Sequence, residues 1–409
     1  MPATFPTNAE KDGALSGTGL AKESVFGTPI AANTFLPMTG NTMEKDPGWF
    51  SPTVMQGVRD KQIYNMQGEQ KYAGAIDGPL FPSNAMELLV ASIGADALPG
   101  AGVTGTTGTG TTTLGALITA NTTAFTLTAA TGFSVGQVIQ VDVNGTGPTT
   151  TAECRKIATL AGVSGTVDVA WEYGHANAAA VKGVVAPYTH TVQEQNTLPS
   201  LTVEKNIGNF QSLQFAGCRV NKFDLKAPVG NAPVMITADM MGQSSAVLDV
   251  PTGITVVPEI PFVFTQAQLT IFGTVRYEVT NTSISIDNAV KATTTYSGFG
   301  GPSYLTPISL HTSGAIDLVF DSLDDGTYGD YTKMSAGTLG ALSFSLTEPA
   351  SGGSVTINMP QIALSKYAND LKDSDVVLSS LTYEASRPLS GGSQYTVNAI
   401  IVNSVYLNY

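Results

Sequence analysis

The 409-residue sequence predicts a mainly β protein: an antiparallel β-sandwich or barrel with one flanking helix, plus an inserted small β-barrel domain. Three observations lead to this fold class. Apolar and polar residues alternate along several segments, which is the period of a half-buried strand. Only one segment has helical periodicity, and a Gly- and Thr-rich stretch near residue 100 separates two regions of different composition. A chain of this length can hold two or three hydrophobic cores.

The first part of the chain, residues 1–98, begins with a polar segment at 1–22 that contains three glycines. This composition predicts an extended or mobile N-terminal arm, with regular structure from about Val25 onward. Residues 41–68 then form a long segment of mixed composition, in which prolines and a glycine interrupt any regular element. Ordered loops of that length are usually functional or mediate contacts.

Two adjacent aromatic residues, Trp49 and Phe50, lie within this long loop. An exposed aromatic pair in a loop is typical of an interface anchor. The alternative interpretation, a local plug of the core, fits the sequence equally well.

A helix is predicted over residues 83–94. Four apolar side chains at i, i+3, i+4 and i+7 fall on one helical face, namely Met86, Leu89, Val90 and Ile93. Asn84 and Glu87 have the spacing of a capping box, and Gly94 stands where the helix should end. The helix is expected to pack over a sheet.

Residues 99–187 are predicted to be the inserted small β-barrel domain. The Gly- and Thr-rich residues 99–113 carry no charge, which suits a linker. The short strand candidates after it are Phe125–Thr128, Gln137–Val143, Thr150–Ile157, Val167–Trp171 and Val181–Val185.

The domain that begins with residues 1–98 is expected to resume over residues 188–409. Apolar and polar residues alternate clearly along its strands. These include Val234–Met240, Leu342–Leu346, Val355–Met359 and Tyr395–Ile401. Along Gly217–Leu225 the alternation slips by one residue at Asn221 and Lys222, which predicts a bulge or bend.

The charge balance excludes a protein built to grip nucleic acid. The chain has 19 basic and 32 acidic residues, a net charge of −13. Binding to phosphates needs lysine and arginine to displace counterions, whereas an acidic surface keeps DNA from adhering. Charged residues are only 12% of the chain, which fits a surface that is largely buried against copies of itself.

Three sequence blocks follow one another along the chain: Glu23–Pro29 with Thr34–Pro37, then Leu198–Glu204 with Phe215–Asn221, and finally Val355–Leu364 with Thr396–Asn403. In this order and spacing they resemble the tail tube proteins of long-tailed (siphovirus-like) bacteriophages. The resemblance covers 1–98 and 188–409. The intervening segment is similar to small β-barrels of other virion tail proteins at Phe133–Gly136 and Arg155–Ile157.

This resemblance implies a structural virion protein that stacks as hexameric rings into a hollow tail tube for DNA delivery. DNA would pass through the lumen without specific binding. The implied partners are further copies of the chain and the tape measure, tail terminator and baseplate proteins of the phage. Assembly is expected in the host cytoplasm, with the virion tail as the final location. Candidate contacts between subunits or rings are Trp49, Phe50, Arg59 and Lys61.

The densest acidic run contains Asp317, Asp321, Asp324, Asp325 and Asp330. Its spacing departs from the calcium-binding loop pattern, although carboxylates do favour hard cations. The sequence leaves three interpretations open: a solvated turn, an acidic patch facing the lumen or the next ring, and a calcium site.

No catalytic site, metal site or cofactor is predicted. The histidines His175, His190 and His311 lie far apart, and none has a neighbouring ligand at metal-binding spacing. The G-x-S-x-G motif of many serine hydrolases is missing. Cys154 and Cys218 are expected to be small buried hydrophobes. Neither a secretory signal nor a membrane span is evident.

Two other classes of protein remain as alternatives. A β-rich adhesin or a capsid-decorating, glycan-binding virion protein would share this composition. A polysaccharide-active tail enzyme would need paired carboxylates beside aromatic platforms, but the chain has only two tryptophans, Trp49 and Trp171.

Overall fold

The computed structural model describes residues 16–53, 59, 64–83, 85–95, 103–144, 147–208, 211–250, 252–253, 255–256, 258–296, 300–320, 329–349, 352–370, 377–390 and 394–407. Strands dominate these residues, and every strand pairing between them is antiparallel. The predicted mainly β fold class is therefore confirmed.

The elements follow one another in three groups. The first group is β1 (Gly17–Lys22), β2 (Thr34–Leu36), β3 (Gly40–Asn41), β4 (Glu44–Asp46), β5 (Trp49–Phe50), β6 (Met66–Gln67), β7 (Lys71–Pro79), α1 (Met86–Ile93) and β8 (Gly94–Ala95). The second is β9 (Val103–Thr113), β10 (Ala124–Thr126), β11 (Val138–Asn144), β12 (Gly147–Ala161), β13 (Ser164–Val167) and β14 (Ala180–Glu194).

The third group completes the chain. It contains β15 (Leu201–Ile207), β16 (Gln211–Pro228), β17 (Met235–Gly242), β18 (Ser244–Leu248), β19 (Ala267–Ile271), β20 (Thr274–Arg276), β21 (Val279–Asp287), β22 (Val290–Thr293), β23 (Tyr304–Pro307), β24 (His311–Val319), α2 (Asp330–Ser335), β25 (Leu339–Thr347), β26 (Ser354–Asp370), β27 (Leu378–Ala385) and β28 (Asn398–Asn403).

Two large sheets pack face to face. The first has the order β7–β17–β16–β21–β24–β27–β26, and the second β20–β19–β25–β26–β28–β14. Strand β26 belongs to both, its first half in the second sheet and its last half in the first. Alternate side chains of both sheets, such as Phe223, Ile316, Phe344 and Ile357, meet in one buried cluster. The arrangement is a β-sandwich.

A third, smaller sheet of order β2–β1–β15–β16–β18 extends the first half of β16. Strand β1 lies within the segment predicted as an extended or mobile arm, so regular structure begins before Val25, where it was predicted to begin. Leu20 and Ala21 are fully buried there, and Gly19 allows Ala32 to approach closely. The rest of the predicted arm, residues 1–15, lies outside the described residues.

Helix α1 is fully buried and packs against strands of both sheets. It begins at Met86, with Ala85 in the cap position and no side-chain hydrogen bond to the cap, and Gly94 ends it as predicted. The expected capping box does not start this helix: Asn84 lies outside the described residues, and Glu87 is buried. Burial raises the pKa of Glu87 to about 7.

The short helix α2 was not predicted, because six residues are too few to show a helical period. It packs along the last half of β26, where the rings of Tyr331 and Tyr367 lie 5.8 Å apart. Met334 of this helix also packs against the core cluster of the sandwich.

Residues 114–181 enclose a hydrophobic cluster separate from that of the sandwich, with Trp171 fully buried in it. The predicted linker is wrong over 103–113, because these residues form β9 and pair along β14. Threonine is β-branched and favours strands, which outweighs the alternating glycines. Strand β14 also runs through the predicted boundary at residue 187 and joins the second sheet.

The slip in alternation at Asn221 and Lys222 corresponds to a real bulge. The register between β16 and β17 shifts between Val220 and Lys222. This irregularity lies where β16 passes from the small sheet into the first large sheet, so one long strand serves both. The predicted bulge is confirmed.

Candidate functional site

The outer side of the first sheet carries a cluster of charged side chains in which acids predominate, and it is called the acidic face here. Antiparallel partners point to the same side of a sheet, so the strand register fixes which side chains share this face. Its carboxylates and lysines are Asp77, Asp239, Asp224, Asp287, Asp317, Glu384, Lys71, Lys222, Lys226 and Lys366. Six carboxylates thus face four lysines, and the remaining positions are mostly small or hydroxylated.

One lysine holds several of these carboxylates together. Asp239, Lys222 and Asp287 are direct neighbours on three adjacent strands, and Lys222 Nζ lies 2.8 Å from Asp224 Oδ2. The hydrogen bond to Asp224 raises the pKa of Lys222. Partial burial and the charge of Asp224 raise the pKa of Asp239. The face is therefore acidic without being an open cluster of unpaired carboxylates.

The predicted acidic run divides between two environments. Asp317 lies on the acidic face and accepts a hydrogen bond of 3.1 Å from Asn281 Nδ2. Asp330 is buried and binds the Arg276 guanidinium through both oxygens, at 3.0 and 2.7 Å. A carboxylate used in this way contributes nothing to a surface patch, so the patch interpretation must be corrected for Asp330. Asp321, Asp324 and Asp325 lie outside the described residues.

The long loop projects a two-stranded ribbon from one end of the first sheet. Strands β5 and β6 pair only with each other within the part of the chain that is described. Trp49 is 64% exposed and Phe50 is 49% exposed, and Met66 beside them is also exposed. A two-stranded ribbon is marginally stable on its own. Its exposed aromatic side chains favour an interface anchor over a core plug.

The base of this ribbon is well defined. Gly68 N donates to Gly48 O at 3.0 Å, and Gln70 N donates to Gly300 O at 2.7 Å. Of the other two candidate contact residues, Arg59 is exposed and Lys61 lies outside the described residues. The ribbon thus projects from a fixed base on the sandwich.

The sequence blocks Glu23–Pro29 and Phe215–Asn221 contact each other, which the sequence alone did not reveal. Glu23 is buried, and its carboxylate accepts hydrogen bonds from Gly217 N at 2.8 Å, Thr202 Oγ1 at 2.9 Å and Gly27 N at 2.9 Å. The Arg219 guanidinium lies 4.9 Å from the centre of the Phe26 ring. These residues fix the fold and are not exposed for binding.

A second buried network lies in the unit formed by residues 114–181. His175 Nδ1 is 2.6 Å from Asp142 Oδ2, and His175 Nε2 is 3.1 Å from Glu153 Oε1. Glu153 also forms a buried ion pair with Arg155. Both ring nitrogens face carboxylates, so the imidazolium form fits best. Burial alone would lower the pKa of His175, but the two carboxylates outweigh it and raise the pKa to about 9.

We expect this network to make stability depend on pH. A histidine whose folded pKa lies above its unfolded value of about 6.5 stabilises the fold fully below pH 6.5 and loses that contribution as pH rises through 9. In thermal melts, wild type should exceed a His175→Gln variant most at pH 6, and the gap should close by pH 9.5. A gap that stays constant across this range would contradict an imidazolium.

Contacts near the C-terminus fix this unit on the sandwich. Tyr406 Oη donates to Asp168 Oδ2 at 2.5 Å, and the rings of Tyr406 and Tyr188 lie 6.2 Å apart. Lys22 Nζ of β1 also lies 3.5 Å from Glu172 Oε1. Side chains thus contact the sandwich from this unit in addition to the pairing of β14.

The described residues give little support to a metal site or to a membrane-spanning helix. Among the residues that the structure describes, no group of three or more His, Cys, Asp or Glu side chains could hold a metal ion. His190 lies buried and contacts Val405 O at 2.9 Å, while His311 is exposed at one end of the acidic face. None of the helices in the described ranges is long and apolar enough to cross a membrane.

Comparison with models of protein families gives a match. The family model described as phage tail tube protein matches residues 13–396. This match includes the segment 99–187 as well as the two parts of the sandwich. No curated protein matches the chain.

Proposed function

The chain belongs to the phage tail tube protein family, and from that premise we propose that its copies form hexameric rings stacked into the hollow tube for DNA delivery. Membership of this family makes the chain a structural component of the phage tail. The observation that supports this proposal is the acidic face. Its carboxylates would repel DNA, and most of its other side chains are small or hydroxylated. The tube would contact the tape measure, tail terminator and baseplate proteins of the phage.

Ring closure needs two different edges on the same subunit, because head-to-tail contacts between identical copies join unlike surfaces. The small sheet supplies such edges. In the described chain β18 pairs only with β16 at one side of this sheet, and β2 pairs only with β1 at the other. Exposed edges of this kind pair readily with another chain. We propose that β18 of one subunit pairs with β2 of the next.

Ring stacking is assigned to the ribbon of β5 and β6. The ribbon lies between β4 and β7 in the chain, at the end of the first sheet where β7 begins. Its aromatic side chains Trp49 and Phe50 are exposed in the isolated subunit, and aromatic residues are enriched among interface hot spots. A neighbour in the next ring would bury them.

The acidic face is assigned to the lumen. Six copies would surround DNA with carboxylates, whose charge repels phosphate and prevents adhesion. We expect virions whose subunits carry Asp224, Asp239 and Asp287 replaced by Lys to assemble but to eject DNA roughly tenfold or more slowly at low salt, with recovery at high salt. Release of DNA from purified virions can be followed with an intercalating dye.

The matched control replaces the same three residues by Asn, which removes charge without adding cations. That variant should eject DNA at close to the wild-type rate. Equal rates for the Lys variant and wild type would show that the acidic face does not line the channel.

The unit within 99–187 is proposed as an inserted domain that projects outward from the tube, since it would block a channel. Gly105 and Tyr188 are opposite each other in the pairing of β9 with β14, which marks a place to remove it. A variant that lacks residues 106–187 and joins these two positions by a short turn should still form tubes, thinner in outline by electron microscopy. Absence of tubes from this folded variant would assign the domain to assembly.

Negative-stain electron microscopy of the purified protein tests the function itself. Hollow tubes or six-fold rings would support it, whereas dispersed particles at every concentration would contradict it and favour an adhesin. The proposed function requires no catalytic step.

A further inference from the structure

The two ends of the first sheet expose different apolar groups. At the end where β7 begins and β17 finishes, the ribbon presents Trp49 and Phe50. At the opposite end, where β16 finishes and β21 begins, Val229 is 51% exposed and Tyr277 is 84% exposed. Between these ends the outer side of the sheet is polar. Such an arrangement suits contacts between copies stacked along the strand direction.

The second of these ends contains an open groove of about 370 Å³ between the two sheets. Its walls include the aromatic rings of Phe264, Tyr277 and Phe344 and the aliphatic side chains of Val229, Leu269 and Val279. Arg276 also lines it, and its guanidinium is already paired with Asp330 and Glu278. The volume lies near the lower limit of pockets that enclose a small ligand, which is the scale of one or two aromatic side chains. The groove is therefore complementary in character to the ribbon.

A larger cavity of about 430 Å³ also opens at this end, between Pro82, Pro258 and Ile260. It is a poorer receptor for aromatic rings, because the carboxylates of Glu259 and Glu348 line it. Glu348 is already buried, but an apolar group over the half-buried Glu259 would remove water from its carboxylate without offering a new polar partner. The aromatic groove has no carboxylate in its lining among the described residues.

We propose that the groove lined by Phe264, Tyr277 and Val229 is the receptor for Trp49 and Phe50 of a second copy in the adjacent ring. This inference rests on the proposed function and assigns its stacking contact. The anchor, Trp49 and Phe50, and the receptor groove lie at opposite ends of the first sheet of one subunit. Each subunit therefore contributes both surfaces, and the contact repeats from ring to ring without closing. That is the heterologous geometry of a filament.

Cross-linking in assembled tubes tests the assignment directly. Gln67 is exposed and pairs with Trp49 in the ribbon, and Thr265 is exposed in the groove. A variant with Gln67→Cys and Thr265→Cys should give a ladder of oligomers with a short bismaleimide. The native residues Cys154 and Cys218 are buried, out of reach of the reagent. A matched variant with Gln67→Cys and Ile260→Cys, at the other cavity, should give none.

The outcomes separate this inference from the proposed function. Tubes that cross-link through Ile260 and not through Thr265, or through neither, would overturn the groove while leaving the tube intact. Failure of both variants and of wild type to form tubes would overturn the function and the groove together. Tubes with a ladder only through Thr265 support both.

A charge substitution gives independent evidence. Tyr277→Asp combined with Val229→Asp should raise the protein concentration needed for tubes roughly tenfold or more, since interface hot spots dominate binding. Val185→Asp, an exposed apolar residue of the inserted domain, is the control and should leave that concentration unchanged. An equal effect of the control and the groove variant would also overturn the assignment.

Discussion

Excision of the ribbon between Gly48 and Gly68 is expected to leave a folded protein that no longer forms tubes. The structure makes a clean excision possible, because Gly68 N already donates to Gly48 O at the base of the ribbon. A two-residue Asn-Gly turn can replace residues 49–67 without moving either end. Size-exclusion chromatography and electron microscopy should show monomers or single rings, and no tubes, at concentrations where wild type polymerises.

A deletion of the whole predicted loop, 41–68, would be a poorer experiment. Met43 is fully buried in the core of the sandwich, and β4 pairs with β7. Removing them would create a cavity and a new free edge, so loss of tubes could result from unfolding. The excision of 49–67 retains both features.

The control is a double substitution, Trp49→Ser and Phe50→Ser, which keeps the length of the ribbon and removes its aromatic anchors. It should match the excision in the loss of tubes, because the anchors provide the contact energy. Normal tubes from either variant would refute the role of the ribbon in stacking. Wild-type thermal stability in both would show that the fold does not depend on it.

Strand alternation allowed much of the sandwich to be predicted from the sequence. The period of two identified β17, β25 and the first half of β26, because one side of each faces a single core. The slip at Asn221 located a bulge for the same reason. These features could be predicted because the alternation of apolar and polar residues along one segment determines which side of the sheet each residue faces.

Features that depend on contacts between residues far apart in the chain could not be predicted from the sequence. Composition made 103–113 a linker, yet pairing with β14 makes it a strand. Asp317 and Asp330 are close in sequence but lie on an exposed face and in a buried ion pair, respectively. Only the register of neighbouring strands shows that Asp77, Asp224 and Asp287, far apart in the chain, share one surface.

The proposed stacking contact combines a part that could be predicted from the sequence with a part that could not. Trp49 and Phe50 were recognisable, because adjacent aromatic residues in a polar loop are unusual. Their proposed receptor was not, because Val229, Phe264 and Tyr277 come from three separate segments with no shared motif. A sequence reveals an anchor more readily than the surface that receives it.

The second large effect is expected at Glu23, where Glu23→Ala should destabilise the fold by about 3–5 kcal/mol. The carboxylate is buried and accepts hydrogen bonds from Gly217 N, Gly27 N and Thr202 Oγ1. Alanine would leave two backbone N–H groups without an acceptor, at a cost of about 1–3 kcal/mol each. Gly217 has a φ of +65°, so its segment cannot easily turn to find another partner.

The loss of charge adds to this effect. Burial lowers the pKa of Arg219, and the negative charge of Glu23 opposes that shift, so the substitution also leaves a half-buried cation with less compensation. Urea unfolding should place Glu23→Gln between wild type and Glu23→Ala, because the amide oxygen can still accept one or two of the hydrogen bonds but carries no charge. Glu44→Ala, an exposed carboxylate on β4, should change the unfolding free energy by less than about 0.5 kcal/mol. If Glu23→Ala unfolds at the same urea concentration as Glu44→Ala, the contact between the two sequence blocks does not hold the small sheet together, and their spacing must have another cause.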